Sequence, residues 1–217
     1  MGEQECAWRY LFVILETMKQ NRLFIAVQLP ETFRNWFEGF RSRWQDFPVK
    51  WTDVEHVHLT LSFLGNVPVE HLPDLISALE EVGERHLPFS LVFTSVEYGP
   101  DQRRPRMNTP TKGRGPRLIW ARAEESAKFS RLYADIRREL SMLPFPLHEN
   151  RPKGEPHVTV ARFNSLLLRE WREDTLPEIS EALSIPVSID TFHLFESKLR
   201  RSGAEHFVLQ SFMLNGK

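Results

Sequence analysis

The sequence predicts an α+β protein built as two pseudo-symmetric β-α-β-α-β lobes, with largely antiparallel sheets facing a central cleft. Three observations carry that expectation. The tetrad His58-Leu59-Thr60-Leu61 returns 99 positions later as His157-Val158-Thr159-Val160, each inside a run rich in apolar and β-branched residues. Period-two alternation puts residues i and i+2 on one face of a strand, so each histidine shares a face with its threonine. The segments around the tetrads also follow in the same order at similar spacing: Arg22 precedes His58 by 36 positions, and Arg117 precedes His157 by 40.

The elements follow in chain order. Residues 22–29 read as a buried strand, and 31–45 as a helix, with Phe33, Trp36, Phe37, Phe40 and Trp44 at helical spacing. That aromatic face is expected in the core. A strand over 58–64 ends at Gly65, a helix spans roughly 69–82, and a strand covers 89–96. The second half opens with a strand over 117–122, then a helix over 126–142 with Phe129, Leu132, Tyr133, Ile136 and Leu140 on one face. A strand over 157–163 follows, then a helical stretch within 166–183 interrupted at Pro177. Strands over 185–195 and 206–214 close the chain, joined by a turn at Arg201-Ser202-Gly203. The patterned domain therefore runs 22–217, its halves at about 22–98 and 117–214, with a basic loop over 99–116.

Composition narrows the function. The 217 residues include 16 Phe and 6 Trp and are 41% hydrophobic, enough for a sizeable core. A net charge of −1 provides no overall attraction to nucleic acid, so anion binding must come from local clusters. The single cysteine, Cys6, excludes an internal disulfide and any zinc site built on several cysteines, and fits a reducing, cytoplasmic setting. Residues 1–21 read as an extension ahead of the domain. Its apolar run Tyr10–Leu15 is far short of the roughly 20 residues of a membrane span, so no membrane association is expected.

Two imidazoles, each beside a hydroxyl, suit acid–base chemistry at phosphorus. With an ordinary pKa near 6.5, one ring can take a proton from water while the other gives one to a leaving oxygen. Each such transfer contributes about 10²–10⁴ in rate. Thr60 and Thr159 are placed to donate to non-bridging phosphate oxygens. Arg162, two positions after Val160, is expected on the histidine face by alternation, as a further phosphate contact.

These tetrads, with Arg22-Leu23-Phe24-Ile25-Ala26, Ser62-Phe63-Leu64-Gly65, Glu155-Pro156 before His157 and Leu194-Phe195-Glu196-Ser197-Lys198-Leu199, resemble the 2H phosphoesterase superfamily. More narrowly they resemble the RNA 2′,3′-cyclic phosphodiesterases, also called 2′-5′ RNA ligases, over about residues 22–214. The resemblance implies metal-independent hydrolysis of RNA 2′,3′-cyclic phosphate ends to 2′-phosphomonoesters, with reversal to 2′-5′ ligation, by a monomer without a cofactor. It assigns His58 as proton donor and His157 as proton acceptor, an assignment that pseudo-symmetry makes easy to exchange. The partners implied are RNAs with a 2′,3′-cyclic phosphate or a 2′-5′ linkage. Two alternatives stand beside this: a 2H phosphodiesterase acting on 2′-5′ oligoadenylate or a small cyclic nucleotide, and an RNA-end binding module without turnover.

Other residues have plainer readings. His56 and His58 on one strand face, with His157, could mimic a three-histidine zinc site, although the phosphoesterase chemistry calls for no metal. His71, His86, His148, His193 and His206 have no partner across the repeat and are expected at the surface or core edge. Phe24 and Trp120 occupy equivalent positions in the first strand of each half and are candidates for stacking an RNA base, with core packing as the alternative. Six basic residues of the connecting segment, Arg103, Arg104, Arg106, Lys112, Arg114 and Arg117, set a local positive field. Of these, Arg103, Arg104 and Arg106 are the candidate RNA contacts, against a reading as a solvated connector.

Overall fold

A computed structural model describes residues 20–47, 49–99, 117–145, 154–163, 177–200 and 203–216. Nine strands lie in it: β1 Gln20–Gln28, β2 Val49–Trp51, β3 His58–Pro68, β4 Phe89–Gly99, β5 Leu118–Ala123, β6 His157–Phe163, β7 Glu181–Ile189, β8 Thr191–Arg200 and β9 Gly203–Met213. Three helices accompany them: α1 Glu31–Arg43, α2 Leu72–Arg85 and α3 Ala127–Ser141. Single 3₁₀ turns stand at Val54–His56 and Val69–His71.

All the pairings are antiparallel, in the order β7-β4-β5-β6-β3-β1-β8-β9, with β2 also on β6. Two wings, β3-β1-β8-β9 and β6-β5-β4-β7, meet at one pairing, Leu59 opposite Val158. Beyond it the two strands part, and β2 takes up the same edge of β6 from Ala161 to Phe163. The wings do not coincide with the halves of the sequence. Strand β4, from the first half, lies between β5 and β7, while β8 and β9, from the second half, extend the wing of β1.

The helices follow the apolar periodicity. Phe33, Phe37 and Phe40 of α1 are fully buried; Phe33 meets Phe93 of β4 edge-on at 4.8 Å, and Phe40 meets Trp51 of β2 at 6.0 Å. Trp36 and Trp44 are partly buried against the same core. Pro73 in the first turn of α2 supplies the fixed φ that suits a helix start. Ser126 caps α3, its Oγ accepting from the Phe129 N–H at 3.3 Å. The paired α2 and α3 are tied by His86 to Asp135 at 2.8 Å, with α2 against β9 and α3 against β3. None of the helices among the described residues is long and apolar enough to cross a membrane.

Several sequence expectations are corrected. The segment 185–195 is not one strand: β7 ends at Ile189, Asp190 turns the chain, and β8 begins at Thr191. The Asp190 carbonyl accepts from the Leu214 N–H at 2.8 Å, which ties that turn to the chain end. Of the stretch 166–183 expected to hold a helix, residues 177–180 form no regular element and Glu181–Leu183 belong to β7, while residues 164–176 lie outside the described residues. Strand β3 does not stop at Gly65. It bulges there, with Gly65 at φ 74, and runs on to Pro68.

Candidate active site

The single pairing between the wings builds the site. With Leu59 opposite Val158 in antiparallel register, His58 falls across from Thr159 and Thr60 across from His157. Leu59, Leu61, Val158 and Val160 point into the core at 0–1% exposure, while the histidines and threonines stand half-buried on the other face. There they line a cleft of about 1150 Å³, larger than one small ligand needs.

Both imidazoles are held in the same way. His58 Nδ1 donates to the His56 carbonyl at 2.7 Å, and His157 Nδ1 donates to the Glu155 carbonyl at 2.8 Å. A carbonyl only accepts, so each neutral ring carries its hydrogen on Nδ1 and its lone pair on Nε2. The supports behind the two carbonyls differ. His56 closes the 3₁₀ turn whose start Asp53 caps, accepting from the Glu55 N–H at 3.0 Å. Glu155 is fixed by Arg122, which also binds Glu97, at 2.9 and 2.6 Å.

Each ring has an aromatic backing from the expected pair of positions. Phe24 lies 4.9 Å from His58 and stacks in parallel on Phe195, also at 4.9 Å. Trp120 lies 4.2 Å from His157, and its ring also packs closely against Gly99. Both are buried, at 3% and 8% exposure. The base-stacking role expected of them does not fit rings whose faces are already covered; they hold the imidazoles instead.

Arg162 does line the cleft, but not for the reason that alternation provides. Strict alternation would place it with Val158 and Val160, facing the core. Opposite Trp120 the register slips, from Trp120↔Thr159 to Ile119↔Ala161, so Val160 is an extra residue. Val160 and Ala161 are consequently both buried, and Arg162 returns to the histidine face. The other lobe repeats the device at Leu61, where the register slips from Ala26↔Thr60 to Ile25↔Ser62, burying Leu61 and Ser62 and bringing Phe63 to the cleft. Each tetrad thus ends on a bulge. Thr52 braces the second, its N–H donating to the Val160 carbonyl at 2.8 Å and its Oγ1 to the Thr159 carbonyl at 2.9 Å.

The cleft also gathers residues that the sequence did not single out. Lys50 stands opposite Arg162 in the β2–β6 register, on a three-residue strand too short to show a period. His206, expected at the surface or core edge, contacts Phe24 at 4.9 Å, His58 at 5.4 Å and His56 at 5.5 Å. Burial pushes its pKa down to about 4, with His58, His56 and Arg22 adding in the same direction. Burial likewise holds His58 below its ordinary value; the His56 carbonyl bond opposes this, and Arg162 and His56 reinforce it. Among the described residues, no group of three His, Cys, Asp or Glu side chains is arranged to hold a metal ion. Arg103, Arg104 and Arg106 lie outside the described residues.

The family model of LigT-like phosphoesterases matches this chain twice, over residues 23–107 and 119–204. Among curated proteins, an RNA 2′,3′-cyclic phosphodiesterase of Geobacillus stearothermophilus is 30% identical over 192 residues, covering 87% of this chain. That match spans only 54% of the Geobacillus protein's own length. Another protein of that name, from Thermus thermophilus, is 29% identical over 202 residues, covering 90% of this chain and 91% of the relative. A solved structure of a Thermus thermophilus protein superposes with a TM-score of 0.68 at 27% identity, covering 90% of this chain and 99% of that one.

Proposed function

The chain belongs to the LigT-like, or 2H, phosphoesterase family, and from that premise we propose that it hydrolyses RNA 2′,3′-cyclic phosphate ends to 2′-phosphomonoesters. The observation that carries the reading is the pseudo-twofold pairing at Leu59 and Val158, which sets two Nε2-presenting imidazoles and two threonine hydroxyls around one cleft. The name borne by the curated relatives supports the same substrate.

His157 Nε2 takes a proton from water as the oxygen attacks phosphorus. The bond from phosphorus to the 3′ oxygen breaks, and His58 Nε2–H gives its proton to that oxygen. Thr60, Thr159 and Arg162 donate to the non-bridging oxygens, where charge builds. The mechanism asks no metal of the protein. A 5′-hydroxyl replacing the water would form a 2′-5′ bond by the same proton transfers, which is the ligation reading.

A donor must carry its proton before it acts, and burial and Arg162 both oppose that at His58. A phosphodiester anion between the histidines acts in the opposite sense and favours the charged ring. The assignment is tested with a diester whose leaving group needs no proton, such as nitrophenolate. That substrate should restore turnover to His58→Asn and not to His157→Asn; the reverse pattern exchanges the two roles.

The reaction itself is tested with EDTA present, on an oligonucleotide ending in a 2′,3′-cyclic phosphate and on its 2′-5′-linked counterpart. A 2′-phosphate product from the first is expected. No product from either would remove the phosphodiesterase reading and leave RNA-end binding in its place.

A further inference from the structure

The His58 imidazole has a neighbour that the internal repeat does not account for. His206 reaches it from β9, two strands beyond β1 in the sheet, and the two rings stand nearly perpendicular, at 5.4 Å and 79°. The His206 ring is also steeply inclined to Phe24, at 4.9 Å and 68°, and Phe24 in turn lies 4.9 Å from His58. These three rings therefore close a triangle. His56, whose carbonyl accepts from His58 Nδ1, lies 5.5 Å from His206 as well. His206 thus touches the His58 ring, the aromatic ring behind it and the residue that bonds its Nδ1.

The surroundings keep His206 uncharged. It is half-buried, and burial, His58, His56 and Arg22 of β1 together push its pKa down to about 4. Around His58 itself stand His56 from the 3₁₀ turn, His206 from β9 and Arg162 from β6. At neutral pH the ring at 206 accordingly brings no charge to His58. What it brings is bulk, in a place that water would otherwise fill. We infer that His206 is a positioning residue: packed as a neutral ring against His58, Phe24 and His56, it fixes the angle of the His58 imidazole and keeps water from it. The effect on turnover rests on the two-histidine phosphodiesterase reading above, whereas the effect on the His58 ring needs no reaction.

The test compares His206→Ala, which removes the ring, with His206→Phe, which keeps a ring and removes its nitrogens. Followed by ¹⁵N NMR on the protein alone, the His58 titration should move up towards the ordinary 6.5 in the Ala variant, where water reaches the imidazole, and should stay in place in the Phe variant. That resonance comes from folded protein, so partial loss of fold leaves it readable. On an oligonucleotide ending in a 2′,3′-cyclic phosphate, His206→Ala should lower kcat by about tenfold or more, within the roughly 10²–10⁴ of one positioned proton transfer. KM should change little, and His206→Phe should restore kcat. In a His58→Asn background His206→Ala should cost nothing further, whereas a general loosening of the cleft would cost the same in both backgrounds. An unmoved His58 titration in His206→Ala, an equal loss of kcat in the Phe variant, or additive losses in the double variant overturns the role of His206. A titration that moves as expected, in a protein that turns over no cyclic phosphate, keeps His206 as the support of His58 and removes the phosphodiesterase reading.

Discussion

Replacing Gly99 by alanine should cripple turnover although Gly99 reaches no substrate. Its backbone passes directly behind the Trp120 indole, and a Cβ built there falls on three ring atoms, the farthest only 2.6 Å away. Carbon atoms sit comfortably at about 3.5–4.0 Å, so the ring must retreat by roughly 1 Å. The His157 ring is in contact with the same indole, at 4.2 Å, so a shift of the indole is felt at His157. The indole Nε1 finds no hydrogen-bond partner among the described residues, so no such bond anchors the indole against the push. A misplacement of about 1 Å at a reacting group costs on the order of 10²-fold in rate. Overpacking adds roughly 1–3 kcal/mol of lost stability. The assay is kcat on a cyclic-phosphate dinucleotide beside a calorimetric melt, with Gly39→Ala as control. Gly39 lies within α1 with nothing within 4 Å of its would-be Cβ, so alanine there should stabilise by about 0.5–1 kcal/mol and leave kcat alone. Wild-type turnover and melting in Gly99→Ala would refute the claim that Trp120 positions His157.

Four further outcomes are expected. His58→Asn and His157→Asn should each lower kcat on the cyclic phosphate by about 10²–10⁴ with the melt preserved, and Thr60→Val or Thr159→Val should stay within the roughly 10²–10³ of one oxyanion donor; single-turnover kinetics measure both. Arg162→Met removes a charge that lowers the His58 pKa, so the His58 titration, followed by ¹⁵N NMR, should move to higher pH; an unmoved curve would show that the guanidinium is too distant to act. His206 resists protonation when folded, with its pKa near 4 against an ordinary 6.5, so its contribution is present above about 6.5 and is lost as pH falls towards 4; melts of His206→Gln should fall less steeply over that window. Neutralising Arg103, Arg104 and Arg106 should weaken binding of long RNA more than of a dinucleotide and flatten its salt dependence; equal losses on both would assign that loop no RNA contact.

Much of the site was legible in residue order because strand geometry is local. Period two placed His58 with Thr60 and His157 with Thr159, and burial of Leu59, Leu61, Val158 and Val160 follows that alternation. The aromatic spacing of 31–43 and the apolar face of 127–141 likewise identify helices without any knowledge of their neighbours. His206 was not visible in this way. It reaches His58 because β9 folds back on β8, in a register where Ser197 faces His206, and no repeat within the chain marks that meeting.

Residue order alone calls for two histidine–threonine strands with their apolar partners facing inward, since a side chain's face on a strand depends only on its neighbours in the chain. Which strands complete each wing, and which side chains follow the tetrads into the cleft, depends on pairing between distant segments. A bulge is a mismatch between two paired strands, so Val160 and Leu61 become extra residues only against Trp120 and Ala26. That mismatch turns Arg162 and Phe63 outward and makes a symmetric frame chemically asymmetric.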